Sequence, residues 1–107
     1  MITHIQGKLV EKNPSFVIID CNGVGYFLRI SLQTFSKLSN DEYCILFTHL
    51  SIKEDAHTLY GFFDKDEREL FRLLISVSGV GPNTAQMILS SLTPVSYTHL
   101  RAHETLL

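Results

Sequence analysis

The feature that most constrains the fold of this 107-residue chain is a change in the spacing of its apolar residues near position 63. Before that point, apolar and polar residues alternate over short runs, as they do in half-buried β-strands. After it, apolar residues recur every three or four positions, as they do in amphipathic helices. We therefore expect a β-rich unit over residues 1–63 and a helical unit over residues 64–94, in a chain long enough for one ordinary core.

The β-rich unit contains five strand-like runs. They lie at residues 2–10, 15–21, 24–30, 43–52 and 57–63. Asn22-Gly23, between the second and third runs, is a strong signal for a two-residue β-hairpin, so these two strands are expected to pair antiparallel. Five strands is the number found in small barrels such as the OB-fold.

A short helix is expected between the third and fourth strands. Leu32, Phe35 and Leu38 are three residues apart and follow Ser31, a residue type that caps helices. Such a helix would close one end of the barrel. The predicted fold class is therefore a five-stranded OB-fold barrel followed by a helix-hairpin-helix segment.

The helical unit begins with a capping pattern. Asp64 can cap a helix, and Glu67 three residues later would complete a capping box. One apolar stripe is expected to face the core: Leu70, Leu73, Leu74 and Val77. The polar residues of the helix, which we expect to be solvated, are Lys65, Glu67, Arg68, Glu69 and Arg72.

Gly79-Val80-Gly81-Pro82 interrupts this pattern and starts another helix. Gly79 can adopt the left-handed conformation that ends a helix, and Pro82 suits the first position of the next one. The second helix would carry apolar residues at helical spacing and stop at Thr93-Pro94; these residues are Ala85, Ile88, Leu89 and Leu92. The sequence thus predicts two short helices joined by a tight turn.

A turn of this kind can bind a phosphate. Gly79 and Gly81 have no Cβ and permit close approach, Val80 would anchor the turn, and the first amides of the second helix point outward without partners. In the alternative interpretation, the glycines only allow the chain to turn.

Composition adds few functional constraints. The net charge is −2, from 9 basic and 11 acidic residues, so anion binding has to come from local geometry. Cys21 and Cys44 lack metal-type spacing and are expected to be buried, reduced thiols. Since no apolar run approaches membrane-spanning length and the first residues lack signal-peptide features, a cytoplasmic location is the default.

Catalytic and cofactor motifs do not stand out. The chain has no Gly-x-x-x-x-Gly-Lys loop for ATP and no nucleophile paired with a base. His99 and His103 are four apart with Glu104 adjacent, but a third ligand is lacking, so no metal site is predicted. No cofactor is expected.

The chain resembles the N-terminal part of the RuvA family, bacterial proteins that bind four-way (Holliday) DNA junctions. The resemblance runs from Met1 to about Leu92. The stretches that carry it are Met1-Ile2, Gly7, Asn22-Gly23-Val24-Gly25-Tyr26, Phe47-Thr48-His49, Lys53-Glu54-Asp55-Ala56, Leu59-Tyr60-Gly61-Phe62, Glu67-Arg68-Glu69-Leu70-Phe71 and Gly79-Val80-Gly81-Pro82.

The resemblance implies a non-catalytic subunit that acts in recombination and DNA repair. It implies a homotetramer that holds four-way junction DNA open while the partner ATPase RuvB drives branch migration. DNA phosphates would meet the hairpin at Gly79, Val80, Gly81, Pro82, Asn83 and Thr84. Glu54 and Asp55 match the family's acidic pin at the junction centre; read from the residues alone, they form a solvated turn.

The chain departs from the family in two respects. Asn83 stands where family members often have a basic residue, which would weaken one phosphate contact. The family continues with a second helix-hairpin-helix, a linker and a RuvB-binding domain, none of which residues 95–107 resemble. We expect residues 95–107 to be a non-native tail.

An alternative function is an OB-fold module that binds single-stranded nucleic acid or a protein partner. It would use Tyr26, Phe27 or Tyr43 as stacking platforms. We expect these three side chains to lie in the barrel core instead. A third reading, a DNA-repair glycosylase, lacks a downstream catalytic carboxylate and enough chain for a base pocket.

Overall fold

The computed structural model describes residues 2–38 and 43–91. The five strands are β1 (His4–Lys12), β2 (Phe16–Cys21), β3 (Val24–Arg29), β4 (Tyr43–Lys53) and β5 (Ala56–Phe62). The three helices are α1 (Leu32–Lys37), α2 (Lys65–Ile75) and α3 (Pro82–Ser91). Leu92, the predicted stop at Thr93-Pro94, the expected tail at 95–107 and the histidine pair within it lie outside the described residues.

The five strands close into a barrel in the order β1-β2-β3-β5-β4. Neighbouring strands are antiparallel except β3 and β5, which meet in parallel where Arg29 pairs with Tyr60. The barrel interior is apolar and includes Val17, Ile19, Leu28 and Leu46, all fully buried. The predicted OB-fold barrel is confirmed.

The β2-β3 connection is the tight turn that Asn22-Gly23 predicts. Both residues have positive φ, 54° and 91°, and the Asp20 carboxylate accepts a hydrogen bond from the Gly23 amide at 2.7 Å. Asparagine and glycine are the residues that tolerate this backbone conformation. The turn therefore sets the register of the antiparallel pair.

Helix α1 begins at the predicted cap. The Ser31 hydroxyl accepts a hydrogen bond from the Thr34 amide at 3.2 Å. Leu38 is buried and Phe35 packs against the barrel core, as expected, but Leu32 is exposed and Thr34 takes its place facing the protein interior.

Helix α2 buries only part of the predicted face: Leu70 is buried and Leu74 packs against the same apolar cluster, as expected. The Asp64 side chain makes no capping bond and instead pairs with the Lys37 ammonium at 2.5 Å, so the expected capping box is wrong. Glu67 and Arg68, expected to be solvated, are buried, whereas Leu73 and Val77 are 39% and 54% exposed. The partners of Lys37 and Glu67 lie 27 and 33 to 36 residues away in the sequence, so local spacing could not identify them.

A second apolar cluster joins the helices to the barrel. It contains Tyr60 and Phe62 of β5, Leu70 and Phe71 of α2, and Ala85 and Leu89 of α3. Because β5 contributes to this cluster, the two helices pack on the barrel wall rather than on each other alone.

The two cysteines agree only in part with the expectation of buried, reduced thiols. Cys21 and Cys44 are free thiols but only partly buried, and burial raises the pKa of both. No helix in the described part of the chain is long and apolar enough to cross a membrane.

Candidate nucleic-acid interface

The turn between α2 and α3 has the predicted tight geometry. Gly79 has a φ of +87°, in the left-handed region, and the Val80 amide donates to the Val77 carbonyl at 3.1 Å. The Val80 side chain packs against the cluster of Tyr60, Phe71 and their neighbours. Val80 thus anchors the turn, as its apolar character predicts.

Gly81 differs from Gly79 because nothing inside the protein requires glycine there. Its φ lies outside the left-handed region, and a Cβ at this position would meet no atom within 4 Å. Its carbonyl accepts the first hydrogen bond of α3, from the Ala85 amide at 2.9 Å. A second molecule can therefore approach the backbone closely at an exposed site.

The first turn of α3 offers unpaired donors to such a molecule. Asn83 and Thr84 are exposed, and their amides belong to the first helical positions, which have no acceptor within the helix. The first turn contains no acidic residue, and Pro82 has no amide hydrogen. This arrangement suits an anion such as a phosphate.

Three polar side chains on one face of α3 bind this helix to the barrel and to α1. The Asn83 amide oxygen accepts from the Tyr60 hydroxyl at 3.3 Å, and the Gln86 amide nitrogen donates to the Arg29 carbonyl at 3.3 Å. The Ser90 hydroxyl accepts from the Leu32 amide at 3.1 Å. The spacing of three and four residues places these contacts on one helical face, so α3 is held along its length.

Two arginines of α2 attach that helix to β4 and to the residue that precedes β1. Arg68 donates to the Thr3 carbonyl at 2.8 Å, and Arg72 donates to the His49 ring at 3.3 Å. Burial lowers the pKa of His49, and the charges of Arg72 and Arg68 act in the same direction. A neutral His49 can therefore accept this bond.

Glu67 is the most deeply buried ionisable group beside the hairpin. Its two oxygens accept hydrogen bonds from Ser31 at 2.5 Å and Thr34 at 2.7 Å. Burial raises the pKa of the carboxyl, while the two hydroxyl bonds and the Lys37 charge lower it by less. The sequence contained a signal for this burial, because Glu67 stands three, four and seven residues before Leu70, Phe71 and Leu74.

Glu54 and Asp55 form the two-residue connection between β4 and β5. Both are exposed, and the flanking residues Lys53 and Ala56 pair with each other. Tyr60 of β5, which contacts Asn83, follows Asp55 by five residues, roughly 16 Å of extended chain at the usual rise. One continuous strand thus connects the acidic turn to the hairpin.

The barrel aromatics are more exposed than expected. Phe27 and Tyr43 are 48% and 67% exposed, so their predicted place in the core is wrong, whereas Tyr26 is partly buried and packs against the barrel core as expected. Phe27 stacks on Phe16 with ring centroids 4.6 Å apart, and the Arg29 guanidinium lies 6.0 Å from the Phe27 ring. Phe27 alternates toward the outer face of β3, opposite the buried Leu28.

Fold and site together define an OB-fold protein that carries a helical hairpin on its barrel wall. The family model described as RuvA N terminal domain matches residues 1–61. The chain belongs to the RuvA N-terminal domain family, and the resemblance in its sequence is confirmed.

Curated relatives agree with this family. The chain is 59% identical over 104 residues to a protein of Christiangramia forsetii, covering 97% of this chain and 54% of that protein. It is 62% identical over 94 residues to one of Flavobacterium psychrophilum, covering 88% and 49% respectively. Both relatives are named Holliday junction branch migration complex subunit RuvA. The chain spans about half the length of these proteins.

Proposed function

We propose that this chain is the barrel and first helical hairpin of a non-catalytic subunit that binds Holliday-junction DNA in a branch migration complex. Its role would lie in homologous recombination and DNA repair. Family membership and the names of the relatives support this proposal. Such a subunit would work in the cytoplasm, where bacterial DNA lies.

The hairpin is the proposed DNA contact, and Gly81 is the observation that carries the proposal. The fold does not need glycine at this exposed position, whereas close approach of a phosphate does. Gly79 and Val80 would shape the turn, and Pro82 would start α3 without using a donor. The amides of Gly81, Asn83 and Thr84 would grip the phosphate without reading base sequence.

The acidic turn is the proposed pin at the junction centre. Glu54 and Asp55 place two exposed carboxylates on a tight turn. Negative charge there would repel phosphates and so favour separated strands at the crossover. It would also oppose overly tight binding of the DNA.

Assembly and motor activity belong to the whole protein. A homotetramer would present four hairpins to the four arms, and the RuvB ATPase would supply the energy for branch migration. We expect neither catalysis nor a cofactor in this chain.

Fluorescence anisotropy with a four-way junction, a linear duplex and a single strand tests the proposal. The chain should prefer the junction. Gly81→Val should reduce the free energy of junction binding by more than it reduces the free energy of unfolding. Gly25→Val is the matched control, because Gly25 is exposed and its Cβ would make only an ordinary contact, 3.7 Å from Ile18. Equal junction binding by the two variants would contradict the hairpin's role.

A second candidate function is binding of single strands or a protein partner on the outer barrel face. The exposed, stacked Phe27 beside Arg29, together with exposed Tyr43, favours it, since aromatic rings stack on bases. This function predicts a preference for single strands that is lost in Phe27→Ala. A junction preference unaffected by Phe27→Ala would exclude it.

A further inference from the structure

Ser31, Thr34 and Glu67 form a closed polar network with fully buried side chains. The Ser31 hydroxyl accepts from the Thr34 amide at 3.2 Å, and the Thr34 hydroxyl accepts from the Phe63 amide at 3.2 Å. Each hydroxyl therefore keeps its own hydrogen for the carboxylate of Glu67, at 2.5 Å and 2.7 Å. A carboxylate that only accepts is the group that satisfies both donors.

The network stands where the chain passes from the barrel to the hairpin. Ser31 and Thr34 belong to the start of α1, Phe63 directly follows β5, and Glu67 lies in the first turn of α2. Two hydrogen bonds from the start of α1 thus meet at Glu67 of the hairpin, and the β5-α2 connection joins the same network through Thr34. Packing alone allows helices to slide, whereas short hydrogen bonds to a buried charged group are directional.

We propose that Glu67 is a positioning residue that fixes the orientation of the helical hairpin relative to the barrel. It would thereby set the spacing between the phosphate-binding amides after Gly81 and the acidic turn at Glu54 and Asp55. The importance of this spacing for DNA rests on the proposed function. The positioning itself rests only on the network and its place in the fold.

A four-way junction would depend on this spacing more than a linear duplex does. Gripping a duplex phosphate needs the hairpin alone, while a junction has to meet the hairpin and the acidic turn at once. Loosening the network should therefore lower the ratio of junction affinity to duplex affinity. A role in stability alone would leave that ratio unchanged.

Thr34→Val is the main test variant, because valine keeps the shape of threonine and removes the hydroxyl. Thr34→Ser keeps the hydroxyl, so it should behave like the parent chain in both measurements. Glu67→Gln removes the charge, and Glu11→Gln is its control, at an exposed glutamate on β1 away from the hairpin. Urea denaturation of each variant would establish that it folds.

The orientation can be read without DNA. Spin labels at Lys53→Cys and Ser78→Cys, both exposed, report the distance from the acidic end of β4 to the hairpin turn in a Cys21→Ser, Cys44→Ser background. Thr34→Val and Glu67→Gln should shift or broaden the distance distribution beyond the spread between repeats. Thr34→Ser and Glu11→Gln should leave the distance distribution unchanged.

The DNA measurement follows on the same variants without labels. The ratio of junction to duplex affinity should fall about three- to tenfold in Thr34→Val and Glu67→Gln, and stay constant in the two controls. Unchanged distances in folded Thr34→Val and Glu67→Gln would overturn the inference. If the parent chain bound no DNA, the proposed function would fail, while the distances would still decide the role of Glu67.

Discussion

Gly79 and Gly81 lie two positions apart in one turn, but they are glycine for different reasons. At Gly79 the φ of +87° strains any residue with a Cβ. At Gly81 neither the backbone nor the surrounding space excludes a side chain. The internal structure accounts for the first glycine, whereas the second has a reason only in the proposed approach of a phosphate.

Alanine at each position separates these reasons. We expect Gly79→Ala to lower the free energy of unfolding by about 1–2 kcal/mol, through left-handed strain. Gly81→Ala should change it by less than about 0.5 kcal/mol and should still weaken junction binding. Urea denaturation and fluorescence anisotropy measure the two effects. A large loss of stability in Gly81→Ala would mean that the fold needs this glycine after all.

Glu67 should give the stability of the protein a pH dependence of definite sign. Burial is the main cause that raises its pKa, so between the ordinary glutamate pKa and the raised value the folded protein holds a proton that the unfolded chain has lost. Its contribution to the free energy of unfolding therefore falls as pH rises through this window. Glu67→Gln should remove that fall.

Urea denaturation across the acidic to neutral range measures this effect. Subtracting the parent's curve from that of Glu67→Gln isolates Glu67 from His49, whose lowered pKa acts in the opposite direction. The difference in unfolding free energy should shift in favour of the glutamine variant as pH rises. A difference that is constant with pH would show that the folded and unfolded states bind this proton equally.

At the scale of helices and strands, local chemistry predicted where elements begin and end. Asn22-Gly23 marked a hairpin, Ser31 a helix start, and Gly79 with Pro82 the break between two helices. Each signal depends on the conformational preference of a residue within its own segment, so it is readable without the rest of the fold.

The orientation of α2 follows only in part from its own spacing, since Leu70, Phe71 and Leu74 share a face with Glu67 but a glutamate there gives no local reason for burial. Leucines lie on more than one side of the helix, and the buried side is the one that meets Tyr60 and Phe62 of β5. The bond from Tyr60 to Asn83 likewise joins residues that are 23 apart in sequence. Such contacts arise from barrel closure, which places β5 beside both helices.

The start of α3 allows a prediction about salt. Asn83 provides a neutral amide beside the proposed phosphate site, and its oxygen is already bound to Tyr60. Asn83→Lys would add a cation, so the slope of log affinity against log salt concentration should steepen by about 0.9. Val10→Lys, at an exposed site on β1, is the control for net charge. Equal slopes for both variants would contradict a phosphate contact at Asn83.

At the scale of the whole molecule, β5 belongs to two apolar clusters. Leu59 faces the barrel core, while Tyr60 and Phe62 pack against the helices. The helices have few buried apolar residues of their own. The Phe71 ring packs on the rings of Tyr60 and Phe62, with centroid distances of 5.1 Å and 5.0 Å. The hairpin therefore depends on the barrel for its core.

Phe71→Ala should accordingly destabilise the barrel and the hairpin together. Phe71 is fully buried, and its loss should cost about 3–5 kcal/mol, a large part of the stability of a small domain. Leu73→Ala, at a partly exposed site on the same helix, should cost less than about 1 kcal/mol. Within each protein, the parent or either variant, the amide NMR signals of Leu28 in the barrel and Leu89 in α3 should disappear together as urea is raised. Loss of the Leu89 signal well before that of Leu28 would mean that the hairpin can leave the barrel wall while the barrel stays folded, and its orientation toward DNA would then not be set by the fold.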